Sequence, residues 1–471
     1  MEYQKLIHEY LQSHKQEIVE TLKNLVKIPS KKGLAEENAP FGKECAKVLQ
    51  QIQTLYQKNG YETELDEKGG YLLSYFGDGE KSLGLFAHAD VVAGGEGWIY
   101  TTPFEPIEKD GFLIGRGVLD DKSAVVASLY VLKMLKELQI PVQSKIVCYT
   151  GTNEETGMQD MVYYTAKHTP PNFSLVMDSA FPLYHGNKGV LRCMATSKIP
   201  LNDITEIFGG KSVNITLGKA YAKLPYCDSV YNELKGKETE RLEVSANNGE
   251  IILQAEGISK HGALPEGSIN AGFLIASALQ NGSFLSENDR KQLSFLAKIL
   301  PDIYGKTLGI ANEDCLFGKL TCSNGLIKIE NGKISFSLDI RFGKNVSLEE
   351  LKDCLTQKLK ENGFNVEFMR SSPAHLTDIN NPYIQACLQT YKTFTGELDA
   401  KPRINAGGTY AKYLPSSAEI GITTWRHSSP FELPQGHGLV HQPDESISIE
   451  DFLEAIEIAT LMVIACDKER N

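Results

Sequence analysis

Apolar residues recur at helical spacing from Ile7 to Val26, which predicts an amphipathic helix at the start of the chain. Residues 82–92 read SLGLFAHADVV, an apolar run with polar residues near its end, as a buried strand would have. In EKDGFLIGRG, Asp110 and Gly111 form a turn signal and a short strand follows. Residues 122–139 are apolar on nearly all faces and predict a buried helix. Pro141 follows as its stop signal. Residues 144–150 and 173–178 are two further apolar strands. Strands separated by helical stretches predict an α/β sheet with parallel strands.

The pattern changes after Leu183. Residues 241–257 and 325–342 read as hairpins, with turns at Asn247-Asn248-Gly249 and at Asn331-Gly332. They predict a separate α+β domain. Helices return from Tyr383, and the last has Ser448 as its N-cap with Asp451 three residues on. The chain thus predicts one domain built from residues 1–184 and 386–471, with a second domain, 185–385, inserted in it. Its 471 residues also exceed the roughly 250–300 that one core can serve. The chain shows neither internal repeats nor a low-complexity tract.

Composition removes several function classes. The net charge of −12 repels phosphate backbones and argues against nucleic-acid binding. The first thirty residues are charged throughout and lack the apolar core of a signal peptide. Residues 124–135 and 455–466 are the most apolar helical stretches, and both fall short of the ~20 residues that span a bilayer. The nine cysteines are dispersed, with no CxxC pair, as expected of small buried side chains in a reducing compartment. The expectation is a cytoplasmic protein with no membrane partner.

Polar residues gather where the predicted strands end. His88 and Asp90 close the first, Asn153, Glu154 and Glu155 follow the second, and Asp178 ends the third. Asp120 and Asp121 begin the buried helix. Open α/β sheets bind ligands beyond the C-terminal ends of their strands. Crowded carboxylates repel unless something positive lies between them, and a divalent cation is the usual answer. The donors are N and O only, which suits zinc, manganese or cobalt. Each residue alone has an ordinary reading: a helix cap, a solvated glutamate pair, a turn aspartate, a core histidine. Their shared position is what points to chemistry. His437 and His441 have i, i+4 spacing, but Gly436, Gly438 and Pro443 argue against a helix there.

The motifs are HAD (88–90), GRGVLDDKS (115–123), NEETG (153–157), MDSAFP (177–182), SKHGALPEGSINA (259–271), DIRF (339–342), AGGTYAKYLP (406–415) and HQPDES (441–446). In this order they resemble the dinuclear zinc metallopeptidase family that holds acetylornithine deacetylase, succinyl-diaminopimelate desuccinylase, aminoacylase and carnosinase. They look most like its bacterial dipeptidase V-like, or Xaa-His dipeptidase, branch. Two departures stand beside the ligands: Ala87 and Ser123 replace glycines common in the family.

The resemblance implies a zinc-exopeptidase-like α/β catalytic domain, with a mixed, largely parallel sheet flanked by helices, and an inserted α+β lid domain. It implies two divalent ions, zinc or else manganese or cobalt. His88 and Asp178 hold one, Glu155 and His441 the other, and Asp120 bridges them. Glu154 is the general base acting on a metal-bridging water, and Asp90 orients His88. His261 would stabilise the oxyanion and Arg341 would hold the substrate carboxylate. Asn214, Gly408 and Thr409 are further substrate contacts, with Asn214 lacking the Val-Pro that usually follows. The function implied is a dipeptidase that takes a small-molecule dipeptide, and the middle segment of roughly 200 residues, long enough to supply His261 itself, points to a monomer. The alternatives are an N-acyl amino acid deacylase or desuccinylase with the same metals and, from another class, a binding homologue without catalysis.

Overall fold

The computed structural model describes residues 3–469, so the domain limits expected at 1 and 471 lie outside the described residues. The chain divides into two compact units. The first runs to Gly186, resumes over Leu376–Asn405 and continues from Thr409. The second takes Asn187–His375 together with Ala406–Gly408. Where the chain re-enters the first unit, the Thr377 N–H donates to the His185 carbonyl and the Arg403 N–H to that of Leu183.

The first unit is built on one mixed sheet. Its order is Glu62–Leu65, Tyr71–Phe76, Lys145–Gly151, Ser82–His88, Phe173–Ser179, Ser417–Gly421, Tyr184–Asn187. The central pairs are parallel: Ser82–His88 with both of its neighbours, and Ser417–Gly421 with Phe173–Ser179. The outer pairs are antiparallel. The central strands are almost wholly buried, because helices and side chains cover both faces.

On one face lies the helix Lys122–Glu137, whose residues are all buried through Leu135. It packs against Ser82–His88 and against the helices Gln4–Val26 and Ile449–Asp467. The helix Lys43–Lys58 buries Cys45, Val48, Leu49, Ile52 and Tyr56, one stripe at helical spacing. A second, aromatic cluster includes Tyr71, Phe86, Tyr149, Tyr164 and Tyr410. A small sheet of Ser446–Ser448, Phe112–Ile114 and Ile107–Lys109 joins two of the sequence motifs. Its hairpin turns on Asp110 and Gly111, both with positive φ, the two-residue turn that the sequence signalled.

The second unit is an antiparallel sheet in the order Leu242–Asn247, Glu250–Glu256, Lys219–Pro225, Glu206–Gly209, Ile327–Glu330, Lys333–Phe342, Gly189–Ser197, Phe364–Ser372. Buried and exposed positions alternate along Lys219–Pro225 and Glu250–Glu256. The helices Ala271–Leu279 and Leu348–Glu361 pack against the sheet. Both expected hairpins are present, turning on Asn248-Gly249 and Asn331-Gly332 with positive φ throughout. Among the described residues, no helix is long and apolar enough to cross a membrane.

Candidate metal centre

Three parallel strands deliver the first polar groups to one end of the sheet. His88 is the last residue of its strand, and its Nε2 lies 3.0 Å from Asp120 Oδ1 and 3.9 Å from Asp178 Oδ2. His441 Nε2 lies 3.0 Å from the other oxygen of Asp120, Oδ2, and 3.1 Å from Glu155 Oε1. Asp120 is therefore shared, with one oxygen facing each imidazole. Among the described residues, His88–Asp120–Asp178 and Asp120–Glu155–His441 are the groups of three donors close enough to share an ion. Glu154 belongs to neither group, although it adjoins Glu155.

The donor set fits divalent cations. All donors are imidazole nitrogens or carboxylate oxygens, which suits zinc, manganese or cobalt. His88 Nε2 is buried and has no aligned hydrogen-bond partner despite its closeness to Asp120, so it is aimed at the cluster without bonding within it. The charges also call for a cation. Burial first, then neighbouring carboxylates, pushes the carboxyl groups of Glu154, Glu155 and Asp178 above their ordinary range. Asp120 goes the other way. Burial opposes its ionisation, but His441 and His88 outweigh it and hold its carboxyl low. Burial likewise opposes a proton on His441, yet Asp120 and Glu155 push that imidazole up to about 11. A doubly positive ion would supply the counter-charge that protons otherwise must.

A further layer fixes these side chains. His88 Nδ1 lies 3.0 Å from the main-chain oxygen of Asp90 and 3.5 Å from its carboxylate. The two oxygens of that carboxylate accept the N–H groups of Glu154 at 3.1 Å and Glu155 at 3.2 Å. Asp90 thus orients the histidine with its backbone and the glutamate loop with its side chain. Asp121 precedes the buried helix but makes no side-chain cap bond. Its Oδ2 accepts the His88 N–H at 3.1 Å instead.

Asp160 accepts the N–H groups of Thr152 and Asn153, each at 2.9 Å, and the Tyr410 hydroxyl. Only glycine fits at 151, because a Cβ there would lie 2.0 Å from Tyr410 Oη. Asp160, Tyr410 and Glu445 were not singled out from the sequence. Tyr410 and Glu445 lie inside quoted motifs, so a signal existed. For Asp160, which lies outside every motif, there was none, since most of its partners are main-chain groups.

Segment 431–445 contains no helix, and Gly436, Gly438 and His441 all have positive φ. His437 does not join His441. Its Nδ1 lies 2.6 Å from Asp444 Oδ2, and Asp444 Oδ1 also accepts the N–H groups of Ile99 and Tyr100, each at 3.0 Å.

In the second unit three expected substrate residues are neighbours. Ile215 and His261 form an isolated bridge, and the Asn214 carbonyl accepts the Gly262 N–H at 2.7 Å. The Asn214 side chain accepts from the Ser212 hydroxyl. His261 is exposed, and its Nδ1 accepts the Ala263 N–H at 3.3 Å. Thr321 donates to the Gly262 carbonyl at 3.1 Å and pairs with Arg341 across adjacent strands. Arg341 is only 3% exposed. Its Nε and Nη2 both reach Asp339 at 2.9 Å, so Asp339 already occupies the fork expected to hold a substrate carboxylate. Nη1 donates to the Ala406 carbonyl at 3.4 Å. Gly408 falls in this second unit and Thr409 in the first. The buried Thr409 hydroxyl caps the turn Tyr410–Tyr413 by accepting the Ala411 N–H.

The chain is similar to several known proteins. Residues 84–465 match the family described as Peptidase family M20/M25/M40. A Staphylococcus epidermidis protein named "Putative dipeptidase" is 26% identical over 473 residues, covering 94% of this chain and 96% of its own length. Human carnosine dipeptidase 1 superposes with a TM-score of 0.62 at 14% identity, covering all of both chains. The di-peptidase Dug1p from Saccharomyces cerevisiae gives 0.60 at 14% identity, covering 99% of each chain. At that identity the two structures are similar in fold.

Proposed function

The chain belongs to peptidase family M20/M25/M40, and on that premise we propose that it is a metallo-dipeptidase with two divalent ions, zinc in our reading, held by His88, Asp120, Glu155, Asp178 and His441. One observation carries the proposal: Asp120 turns one oxygen to each of two imidazoles, and each imidazole faces a further carboxylate. The similarity to a relative and to solved structures that bear the name dipeptidase supports the substrate class.

Bound there, the ions would polarise the scissile carbonyl and acidify a water at neutral pH. Glu154 takes the proton of the attacking water on its carboxylate and passes it to the leaving nitrogen. A neighbouring glutamate is needed because a carboxylate that ligates a cation is a poor base. Asp90 holds the main chain of both glutamates, which keeps base and ligand at fixed spacing. From the second unit we carry His261 as the oxyanion donor, with Asn214 and Arg341 as substrate contacts. A substrate carboxylate at Arg341 would use Nη1 or displace Asp339.

The test compares hydrolysis of Ala-His and Leu-Leu with that of N-acetyl and N-succinyl amino acids. Dipeptides should be preferred in kcat/KM. A tenfold preference for the acylated set, about 1.4 kcal/mol, would establish the deacylase instead. A metal-loaded protein that cleaves neither set would be a binding homologue.

A further inference from the structure

Four residues beyond His441 the chain buries a carboxylate completely, since Glu445 is 0% exposed. Its Oε2 is paired with the buried Arg116 guanidinium. Its Oε1 accepts three main-chain N–H groups, from Gly117 at 2.9 Å, Leu119 at 3.0 Å and Asp120 at 3.2 Å. The Glu445 carbonyl accepts the Gly115 N–H at 2.9 Å. Arg116 is itself held, lying 5.6 Å from the Trp98 ring centroid with Nη2 donating to the Gly94 carbonyl at 3.4 Å.

The strand pair Ser446–Ser448 and Phe112–Ile114 joins these two segments away from the ligands. The Glu445 side chain extends the same hold to the backbone of Asp120. We propose that Glu445 is a positioning residue for one half of the metal centre, setting Asp120 against His441 and Glu155. This rests on the two-ion reading above. His88 and Asp178, by contrast, are placed by their own strands within the sheet. Loss of Glu445 should therefore act more on the half with His441 and Glu155 than on the half with His88 and Asp178, which shares Asp120 but keeps two strand-borne ligands.

Glu445→Gln keeps the volume and removes the symmetry of the acceptor. The amide NH2 must then face either Arg116 or the three N–H groups, and donors oppose donors both ways. The full chain is stripped with a chelator and titrated with zinc against a chromogenic competitor. The native protein should take up two equivalents. Glu445→Gln should bind one equivalent about 10–100-fold more weakly and the other, which shares Asp120 but keeps His88 and Asp178, with a clearly smaller loss. Arg116→Lys, which leaves the carboxylate and its main-chain donors in place, should weaken the same equivalent by a smaller factor. It carries the test alone should Glu445→Gln not fold.

Unchanged binding of both equivalents, or parallel weakening of both, overturns the inference and leaves the two-ion reading standing. A native protein that binds fewer than two equivalents overturns that reading itself, and the inference with it.

Discussion

Glu154 and Glu155 are neighbours in sequence with different surroundings. Glu155 faces His441 and shares a group with Asp120, whereas Glu154 belongs to no donor group. Glu154→Ala should keep both ions and lose about 10²–10⁴-fold in kcat. Glu155→Ala should lose metal. Metal analysis beside steady-state kinetics checks both, and the reverse outcome would exchange the two roles. Single residues were legible in the sequence where chemistry leaves a mark on residue type. His88, Asp120, Asp178 and the glutamate pair stand out as donors at strand ends. His441 was separable from His437 only through the surrounding motif and the glycines that forbid a helix. What supports the donors was far less visible. Asp160 acts chiefly on main-chain N–H groups, which any sequence supplies, so nothing in the chain announces it, and Asp121, visible as a helix cap, takes the His88 N–H instead. Arg341 shows a different limit. Its motif pointed to the guanidinium but not to its partner, Asp339, two residues before it, which takes both Nε and Nη2.

The element that carries the centre is the buried helix Lys122–Glu137. It begins directly after Asp120 and Asp121 and packs under the strand that ends at His88. Leu132 is fully buried in it, so Leu132→Ala should cost about 2–5 kcal/mol. Urea denaturation of the metal-free protein measures this, and a cost below 1 kcal/mol would mean that the helix is not rigidly packed. Periodicity revealed this helix and both hairpins because their signals are local: a fully apolar run, and Asn-Gly between alternating strands. Ser417–Gly421 was not revealed. It is five residues long and acquires its meaning only by insertion beside Phe173–Ser179, more than 230 positions earlier in the chain. Pairing at that range leaves no trace in local pattern.

At the scale of the whole molecule, cation binding and folding are linked. Each ion that binds the native chain alone should stabilise it by RT ln(1 + [L]/Kd), about 2.7 kcal/mol at a hundredfold excess over Kd. Chelation should therefore lower the melting temperature of the native protein, and added zinc should restore it. A melting temperature indifferent to the chelator would argue against resident ions. The order of the chain along the sheet has one more consequence. Ser417–Gly421 lies inside the sheet, between Phe173–Ser179 and Tyr184–Asn187, and His441 follows it. During translation the ribosome must make the entire second unit before either exists. Until then the nascent first unit presents an open strand edge and holds His88, Asp120, Glu155 and Asp178 without their fifth partner. Synthesis thus completes the hydrolytic centre late, and a stalled chain released before residue 417 would be both unable to close its sheet and unable to assemble the proposed site.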